Sequence, residues 1–428
     1  MEGRAVRKDG SLAQNVRGFD ECSPKTTDSR ETTVDAPIDK LGPFGRWIRH
    51  RLLASILIGT PVLVAVQVRR HPLATKILRV ASLFGTEEFY GLLVCFLTWI
   101  VDIRLARLCC ILMAVGFYAA NFLKNSLCLP RPPSPPVNPL EPSFNTWALP
   151  SHHAVLAVVV PWYIWFYSYL HYNLTTVQYV ILFCFIVTWS FSVMLSRIYL
   201  GVHSPADVVA GSLLGCLALS AWLHYDDILD RATAVSGQGA MLVPVYVIIM
   251  LFIHPRPDLE TLSFTESVCM SGVAVGFVLA RTMVSGPHPP FKGIIDSINN
   301  SSSSWSVIFL FMVLRFFLGG ALVLTSRFLV KKMTSVVFPM FLRITGIEYY
   351  HGSSTRIPFF TGYHKGFKLP PVTSNKEKEE KTQESNAGSR GSSPWDVDVA
   401  IRFVTYTAMG YACNYIAPML FLHLGIVV

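Results

Sequence analysis

The chain has 428 residues, of which 52% are hydrophobic and only 15% are charged. Soluble domains average about 25% charged residues, so the composition excludes a soluble, a disordered and a nucleic-acid-binding chain as global descriptions. A formal charge of +9 in so apolar a chain indicates basic loops that flank membrane segments. The nine cysteines form no C-x-x-C pair, which argues against a disulfide framework and a zinc site.

The polar stretches divide the chain into parts. The N-terminal tail is poor in large apolar side chains, which favours disorder. A basic cluster from Arg46 to Arg51 precedes the first apolar run, so the positive-inside rule places this tail in the cytosol. The predicted parts are a disordered cytosolic tail (1–45), a membrane core (46–230), additional transmembrane helices (231–372), a flexible linker (373–397) and a C-terminal transmembrane helix (398–428).

Apolar runs that could cross a membrane follow one another along the chain. A transmembrane helix needs about 20 mostly apolar residues, and the runs predict an all-α polytopic membrane protein of about 8–10 transmembrane helices with a six-helix core. The predicted spans are Leu52 to Val68, Glu87 to Ile103, Leu108 to Leu123, Ala154 to Tyr172, Thr176 to Leu195, Asp207 to His224, Met241 to His254, Val268 to Met283, Ser306 to Val330 and Val399 to Val428.

The seventh run is short for a span, at about 14 residues. If it crossed the membrane, the basic stretch from Lys331 to Arg390 would share a side with the polar clusters described next, against the positive-inside rule. The sequons at Asn299 and Asn300 would then lie in the cytosol, where they cannot be glycosylated. We therefore favour an interfacial seventh segment.

Three polar clusters interrupt the apolar background. They run from Lys124 to Pro132, from Leu149 to His153 and from Ser196 to Asp207. The first follows the third predicted span, the second opens the fourth, and the third joins the fifth to the sixth. Because consecutive spans alternate in direction, all three clusters are expected at one membrane face, on the far side from the tail.

The clusters combine cations with imidazoles. Arginine forks match phosphate oxygens and lysine adds a point charge, and these are supplied by Lys124, Arg131 and Arg197. His153 and His203 can exchange protons near neutral pH. Two helix N-termini, near Ser151 and Ser204, offer free N–H groups to an anion. The set fits a phosphoryl group, and it lacks the carboxylate cluster that would hold Mg²⁺.

Each cluster also has a simpler interpretation. Basic residues at helix ends commonly extend to lipid headgroups, which would account for Lys124, Arg131 and Arg197 one by one. Ser204 and Asp207 have the spacing of a helix capping box, with proline at the first helical position. Asp207 also lies four residues after His203, where its carboxylate can orient the imidazole.

The three clusters match the signatures K-x6-RP, P-S-x-H and S-R-x5-H-x3-D, in that order. The chain thereby resembles the type 2 phosphatidic acid phosphatase superfamily. Within it, the run from Arg131 to Val137 is similar to the RP-x-SPPV run of sphingosine-1-phosphate (long-chain base phosphate) phosphatases. The segments Gly85 to Tyr90 and Arg402 to Gly410 also resemble that branch, less specifically.

The resemblance implies a membrane-embedded lipid phosphatase with a six-helix phosphatase core, whose partner is its lipid substrate and which needs no cofactor or metal. It also implies the endoplasmic reticulum membrane, where the parity of the spans puts the active site on the lumenal side. The implied roles are His203 as nucleophile, Asp207 as its orienting group, His153 as general acid and base, and Lys124, Arg131, Ser151, Arg197 and Gly201 as phosphate-binding residues.

One position departs from the family pattern. The family usually has a small residue between the serine and the histidine of P-S-x-H, whereas this chain has His152. The alignment assigns the acid to His153, and we expect the His152 ring to point away from the phosphate. A second imidazole could otherwise crowd the pocket or share the proton transfer.

Two other functions fit parts of the pattern. A broader lipid or isoprenoid phosphate phosphatase, or a phosphotransferase, would use the same motifs. A transporter could bind an anion with the same cations, since charged residues inside membranes often mark transport routes. Transport does not require His153, His203 and Asp207 at these spacings.

Overall fold

The structure is a computed structural model that describes residues 41–141, 146–235, 237–255, 262–284, 304–347 and 397–426. Within these ranges the regular elements are helices, which confirms the all-α prediction. The predicted linker, the sequons at Asn299 and Asn300 and most of the N-terminal tail lie outside the described residues. The helices are α1 (Pro43–Val68), α2 (Pro72–Leu83), α3 (Glu87–Phe96), α4 (Ile103–Leu127), α5 (His152–His171), α6 (Thr176–Tyr199), α7 (Pro205–Val235), α8 (Gly237–Ile253), α9 (Leu262–Val284), α10 (Trp305–Thr345), α11 (Val397–Tyr411) and α12 (Ala417–His423), with π-helical segments after α3 (Leu97–Val101) and α11 (Ala412–Ile416).

Seven helices in the described ranges are long and apolar enough to cross a membrane, and the bent pair of α2 with α3 and its π segment makes a possible eighth. The polytopic prediction is therefore confirmed. The sequence analysis missed α2 and predicted several spans shorter than the helices, because α1 begins at Pro43, α7 continues to Val235 and α10 continues to Thr345. Apolar composition marks the part of a helix in lipid, whereas helices continue past it where polar residues still favour helix.

Helices α4 to α7 pack around a buried apolar core and define two ends of the bundle. At one end, here called the motif end, α4 and α6 finish while α5 and α7 begin. At the opposite end, Arg107 of α4 pairs with Asp230 of α7 at 2.6 Å. Asp102 caps α4 there by accepting from the Arg104 amide at 2.6 Å, and Tyr167 of α5 donates to its second oxygen at 2.8 Å.

The contacts of α1 all lie at the motif end. Near its start, Arg49 donates to the Leu127 carbonyl at 3.1 Å, at the end of α4. Gly59 faces Pro205, at the start of α7. Just past its end, Arg70 donates to the Tyr199 carbonyl at 3.0 Å, at the end of α6. Helix α1 therefore lies across one end of the bundle, although its length and composition would suit a membrane span.

Helices α2 and α3 together run from the motif end to the opposite end. His71, just before α2, accepts at its carbonyl from the Tyr199 hydroxyl at 3.2 Å. The chain bends by 58° between the two helices, at Gly85, whose Cα faces the ring of His153. Helix α3 restarts with Thr86 as N-cap, because its hydroxyl accepts from the Phe89 amide at 3.3 Å.

Helix α8 crosses the bundle, so the preference for an interfacial seventh segment was wrong. It follows α7, whose last turns are at the opposite end beside Arg107. Its final turn is at the motif end, where the Tyr118 hydroxyl donates to the Met250 carbonyl at 2.8 Å and the Asn125 amide donates to the Pro255 carbonyl at 3.1 Å. The apolar run of about 14 residues looked too short to cross, but the helix has 17 residues and spans about 25 Å.

The remaining helices close the bundle. Helix α9 starts at the motif end and finishes at the opposite end, where Arg281 lies 4.0 Å from Asp230. Helix α10 starts at that opposite end, since Arg315 donates to the Trp99 carbonyl at 2.8 Å. Helix α11 runs beside α9, with Gly276 facing the Thr407 carbonyl.

Candidate active site

The structure brings the three polar clusters together at the motif end, as the alternation of spans predicted. Ser151 before α5 donates its amide to the Asp207 carbonyl in α7 at 3.1 Å. Arg131 of the first cluster lies 3.0 Å from His203 of the third. All eight predicted site residues belong to this region, and their roles stay predictions.

Lys124 lies in the last turn of α4 and is fully buried. Helix α4 ends at Cys128, which adopts the left-handed conformation with φ 47° and donates its amide to the Lys124 carbonyl at 2.9 Å. That helix end turns the chain toward Arg131. The Lys124 ammonium lies 2.8 Å from Nδ1 of His152, and because lysine only donates, this ring nitrogen is the acceptor.

The sequence analysis expected the His152 ring to point away from the phosphate, and this expectation was wrong. The ring stacks on Phe117 with centroids 5.8 Å apart and reaches the phosphate-binding lysine with Nδ1. The residue between the serine and the histidine of the second motif therefore contacts Lys124 directly. His152 is a component of the site that the family pattern gave no reason to expect.

Arg131 connects the loop after α4 to the third cluster. One nitrogen donates to the Val202 carbonyl at 2.7 Å and lies 3.0 Å from Nε2 of His203, while the other donates to the Thr146 hydroxyl at 2.8 Å. Three anchors therefore fix the guanidinium. Burial, followed by the charge of Arg197, lowers the pKa of Arg131 to about 10, so the group stays protonated at neutral pH.

His203 is fully buried between an arginine and a carboxylate. Arg131 can only donate, so Nε2 of His203 is the unprotonated nitrogen and Nδ1 carries the proton. Nδ1 faces Oδ2 of Asp207 at 3.4 Å, longer than a good hydrogen bond, and catalytic contacts of this kind often tighten when substrate binds. Burial, with the charges of Arg131, Arg197 and Lys124, lowers the pKa of His203 well below its usual 6.5 and keeps the ring neutral.

Both interpretations of Asp207 are correct at once. Its Oδ2 accepts from the Ser204 amide at 2.7 Å, and the Ser204 hydroxyl accepts from the Asp207 amide at 3.2 Å, which is the reciprocal capping box. The same Oδ2 faces His203. The start of α7 thus fixes the carboxylate that orients the imidazole.

His153 lies in the first turn of α5 against the bend between α2 and α3. Gly85 makes this approach possible, because a Cβ there would lie 2.5 Å from Cδ2 of the His153 ring. The ring is nine-tenths buried and its Nδ1 has no partner among the described residues. The charges of Arg197, Lys124 and Arg131 all act on it, which places it in the same cradle as His203.

Arg197, in the last turn of α6, is held from its outer side. It donates to the Ser82 hydroxyl at 2.6 Å and to Oε2 of Glu141 at 3.1 Å. Its Nε has no described partner. Glu141 and Ser82 therefore position the guanidinium while leaving part of its fork for a ligand.

Several buried polar atoms of the site lack protein partners in the described part of the chain. They are Ser151 Oγ, His153 Nδ1, Arg197 Nε, Asp207 Oδ1 and the Nδ1 of His203 that faces Asp207 at 3.4 Å. Unpaired polar atoms inside proteins are expensive, and three of them, on Ser151, His153 and Arg197, can donate a hydrogen bond to a ligand. A phosphoryl group, with its acceptor oxygens, fits this set.

Gly201 shapes the turn that carries His203. Its φ is +76°, a conformation that residues with a Cβ rarely adopt, and a Cβ would lie 2.6 Å from the side-chain nitrogen of Gln67 in the segment after α1. The backbone turn and the close approach of α1 both require glycine. The contact of Gly201 is with Gln67, and its part in phosphate binding stays a prediction.

Comparison with known proteins agrees with this geometry. Residues 104–229, which carry all three motifs, match the family model of the PAP2 superfamily. The chain therefore carries a PAP2 superfamily domain. It is 26% identical over 392 residues to lipid phosphate phosphatase delta of Arabidopsis thaliana, covering 89% of each chain. It is 24% identical over 389 residues to a dihydrosphingosine 1-phosphate phosphatase of Schizosaccharomyces pombe, covering 88% of this chain and 90% of that one.

A third relative is sphingosine-1-phosphate phosphatase 1 of Mus musculus, to which the chain is 25% identical over 347 residues. The matched region covers 80% of this chain and 70% of that protein. These similarities extend well beyond the 126 residues of the PAP2 match. The helices outside the PAP2 core are thus shared with these relatives.

Sequence reasoning missed most of the residues that hold the cradle in place. They are Thr146 on Arg131, Ser82 and Glu141 on Arg197, and Gly85 against His153. His152 carried a signal as a departure from the motif, and Gly85 carried a weaker one because it begins a segment that resembles the sphingosine-1-phosphate phosphatase branch. The others are far away in sequence or lie in loops without a pattern.

Proposed function

We propose that this protein is a membrane-embedded phosphatase that hydrolyses sphingoid long-chain base 1-phosphates to the free base and inorganic phosphate through a phosphohistidine. The observation that carries the proposal is the state of His203, a buried neutral imidazole whose unprotonated Nε2 lies in a cradle of cations. A site that only bound an anion would gain more from a protonated imidazole. A neutral ring with a carboxylate behind it is arranged for attack on phosphorus.

In the first half-reaction, Nε2 of His203 forms a bond to phosphorus while the bond from phosphorus to the lipid oxygen breaks. The leaving oxygen takes a proton from His153, which the bound phosphate dianion would keep protonated by offsetting the charges of the cradle, and the free base departs. Asp207 faces the Nδ1 proton of His203 and stabilises the positive charge that develops on the ring.

In the second half-reaction, the now neutral His153 takes a proton from water. The resulting hydroxide attacks phosphorus, the bond to His203 breaks, and phosphate leaves. His203 returns to its neutral form and His153 to its protonated form, so the cycle closes without a cofactor.

Lys124, Arg131 and Arg197 would bind the phosphoryl oxygens, with Ser151 donating from its unpaired hydroxyl and Gly201 allowing close approach. Positioned charges are the main source of catalysis in phosphoryl transfer, because little covalent chemistry falls to the protein. The anchors on Arg131 and Arg197 fix two of these charges before substrate arrives.

The substrate class is supported by the relatives, of which several are named for sphingosine 1-phosphate or dihydrosphingosine 1-phosphate. The relative in Arabidopsis thaliana is named only for lipid phosphates, so a broader lipid or isoprenoid phosphatase, or a phosphotransferase, is the second candidate. A non-catalytic anion transporter is the third.

Purified protein in vesicles, offered a panel of lipid phosphates, tests the proposal by released inorganic phosphate. Sphingoid base 1-phosphates should be turned over fastest, and phosphatidate at an equal rate would favour the broader phosphatase. His203→Ala should abolish release, while the exposed His224→Ala on α7 serves as the matched control. Wild-type activity in His203→Ala would remove the assignment of His203 as the nucleophile, whereas no phosphate release from the wild type with any substrate would favour the transporter.

We further propose the endoplasmic reticulum membrane as the location, with the resemblance to sphingolipid phosphatases as support. The lumenal position of the active site stays a prediction. The argument for it assumed that α1 crosses the membrane, whereas both ends of α1 contact the motif end. A cytosolic tail and a lumenal active site are then mutually exclusive.

A further inference from the structure

A second cavity lies beside the phosphate cradle. It has a volume of about 790 Å³ and is enclosed by α3, α4, α9, α10 and α11. None of the eight residues assigned to the phosphatase site lines it. Cavities of this size commonly hold small molecules and are apolar, with a few polar groups at fixed positions.

The cavity is apolar toward the opposite end of the bundle and charged toward the motif end. Its deep walls include Trp99, Met113 and Phe277. Four carboxylates line the motif end, from Glu87 and Glu88 at the start of α3, from Glu266 near the start of α9 and from Asp398 at the start of α11. Glu87 and Trp99 are 12 residues apart, which corresponds to about 18 Å of helix. The cavity is therefore a deep apolar chamber with an acidic end.

The acidic end is adjacent to the phosphate site. Asn121 of α4 donates to Oε2 of Glu266 at 3.2 Å, and Lys124 follows Asn121 by one helical turn on the same face. One turn of helix rises about 5 Å. Glu87 begins α3 just after the bend at Gly85, which contacts His153. The lysine of the cradle and the asparagine that holds Glu266 are thus one helical turn apart.

The carboxylates have few direct partners among the described residues, although the charges of Lys124 and Arg131 in the cradle act on Glu266. Glu266 is 7% exposed, and its one hydrogen bond in the described residues comes from Asn121, to only one of its two oxygens. Glu87 and Glu88 form no ion pair with the described residues, and the charges acting on Glu87 are those of Glu266 and Glu88. Buried carboxylates that face each other are unfavourable unless a cation joins them.

Basic side chains also line this end, from the other wall. Arg327 and Lys331 belong to α10 and Arg402 to α11. Arg402 donates to the Thr265 hydroxyl at 2.8 Å, and Arg327 has partners of its own. The carboxylates on α3 and α9 therefore present an acidic wall on the side of the phosphate cradle.

We propose that this cavity holds the hydrocarbon chain of the substrate and that Glu266, together with Glu87, binds the ammonium group of the sphingoid base. The inference rests on the proposed function and adds the residues that select the substrate. A sphingoid base 1-phosphate carries its phosphate and its ammonium on adjacent carbons, with one long chain behind them. That order matches the cations of the cradle, the carboxylates and the apolar chamber. A glycerolipid phosphate has no ammonium to place between the carboxylates.

Two substrates of equal chain length test the ammonium contact, a sphingoid base 1-phosphate and an alkyl phosphate without the amine. Glu266→Gln keeps the shape of the side chain and removes its charge. We expect kcat/KM for the amine substrate to fall on the order of 10- to 100-fold, the worth of a charge-assisted hydrogen bond, with less than about a twofold change for the alkyl phosphate. Glu87→Gln should act in the same direction.

Asp398→Asn is the matched control, because this carboxylate lines the cavity from α11. It should leave the ratio between the two substrates unchanged. Equal losses on both substrates in Glu266→Gln, or no loss on either, would overturn the ammonium assignment while the wild type still cleaves the sphingoid substrate. Failure of the wild type on that substrate would instead overturn the proposed function.

The chain-binding part is tested separately with Gly320, which lines the cavity and has no atom within 4 Å of where a Cβ would lie. Gly320→Phe can fill the chamber without displacing a neighbour. We expect it to lower kcat/KM for an 18-carbon base phosphate at least tenfold relative to a 10-carbon one. An unchanged chain-length preference would show that the chain binds elsewhere.

Discussion

The charged side chains of the site are fixed by partners before a phosphate binds. Arg131 is fixed by Val202 and Thr146, Arg197 by Glu141, and Asp207 by the Ser204 amide. Charges fixed in advance need no reorganisation in the transition state, which is where electrostatic catalysis gains most of its effect. The motif residues therefore depend on neighbours outside the motifs, and variants of those neighbours should have measurable effects.

Among these neighbours, His152 gives the most specific prediction for a substitution. Its Nδ1 lies 2.8 Å from the Lys124 ammonium, so His152→Ala frees that lysine from its described partner. We expect kcat/KM to fall about tenfold, the worth of one hydrogen bond to a charged group. In a Lys124→Ala background the same change should have little further effect, because the two residues act as a pair. A rise in activity would mean instead that the second imidazole crowds the pocket.

The pH profile reports the protonation of His203. Burial, with the charges of Arg131, Arg197 and Lys124, lowers the pKa of this ring below 6.5. The ring must be neutral to attack, so the acid limb of kcat/KM should lie below pH 6.5. Arg131→Gln removes one of these charges, which raises the pKa of His203 and moves the acid limb to higher pH. A limb that stays in place, or moves to lower pH, contradicts the assignment of His203 as the nucleophile.

At the scale of the elements, helix termini position the site. The ends of α4 and α6 carry Lys124 and Arg197, and the starts of α5 and α7 carry His153 and Asp207. The starts of α5 and α7 could be read from sequence, because Ser151 and the Ser204–Pro205 pair mark them, whereas the end of α4 at the left-handed Cys128 could not. The bend between α2 and α3 could not, since its cause is the fit of Gly85 against His153, which lies 68 positions away in the chain.

The pairing of α9 with α11 depends on small residues. A Cβ at Gly276 would collide with the Thr407 carbonyl and lie 2.6 Å from the Tyr411 amide nitrogen. Close backbone approach of this kind is a common basis of helix association in membranes. Gly276→Leu should separate the helices and lower the melting temperature in detergent by about 5 °C. Gly91→Ala is the control, because its Cβ would meet open space, and equal melting temperatures for both variants would contradict the packing argument.

At the scale of the whole molecule, the sequence predicted which polar residues lie together, but it did not predict the neighbouring cavity or the orientation of α1. Local patterns and a fixed motif order identified the eight site residues. The cavity beside them is formed by α3 and α4 together with α9, α10 and α11, two groups of helices that are distant in sequence. Of its polar residues, Glu87, Glu88 and Arg402 lie in the two segments that resemble the sphingosine-1-phosphate phosphatase branch, but that resemblance did not indicate a shared cavity. The orientation of α1 could not be predicted from the sequence either, because an apolar helix that lies on a protein surface has the same composition as one that crosses a bilayer.

The position of α1 decides which regions share a side of the membrane. Between Arg49 and Arg70 the helix is about 31 Å long, enough to cross, yet both residues bond to the motif end of the bundle. Its exposed face carries Phe44 and Trp47 beside basic residues, a composition typical of helices in the membrane interface. The N-terminal tail should therefore lie on the same side as the active site.

Engineered glycosylation sites in microsomes test this arrangement. One sequon is inserted ahead of Pro43 and another in the loop between Pro132 and Trp147, with Asn299 and Asn300 changed to Gln. Both inserted sites should be modified or both should stay unmodified, because α1 keeps its two ends together. The native sequons, between the end of α9 and the start of α10 at the opposite end, should show the reverse behaviour in the otherwise unchanged protein. Modification of only one of the two inserted sites would mean that α1 crosses the membrane after all.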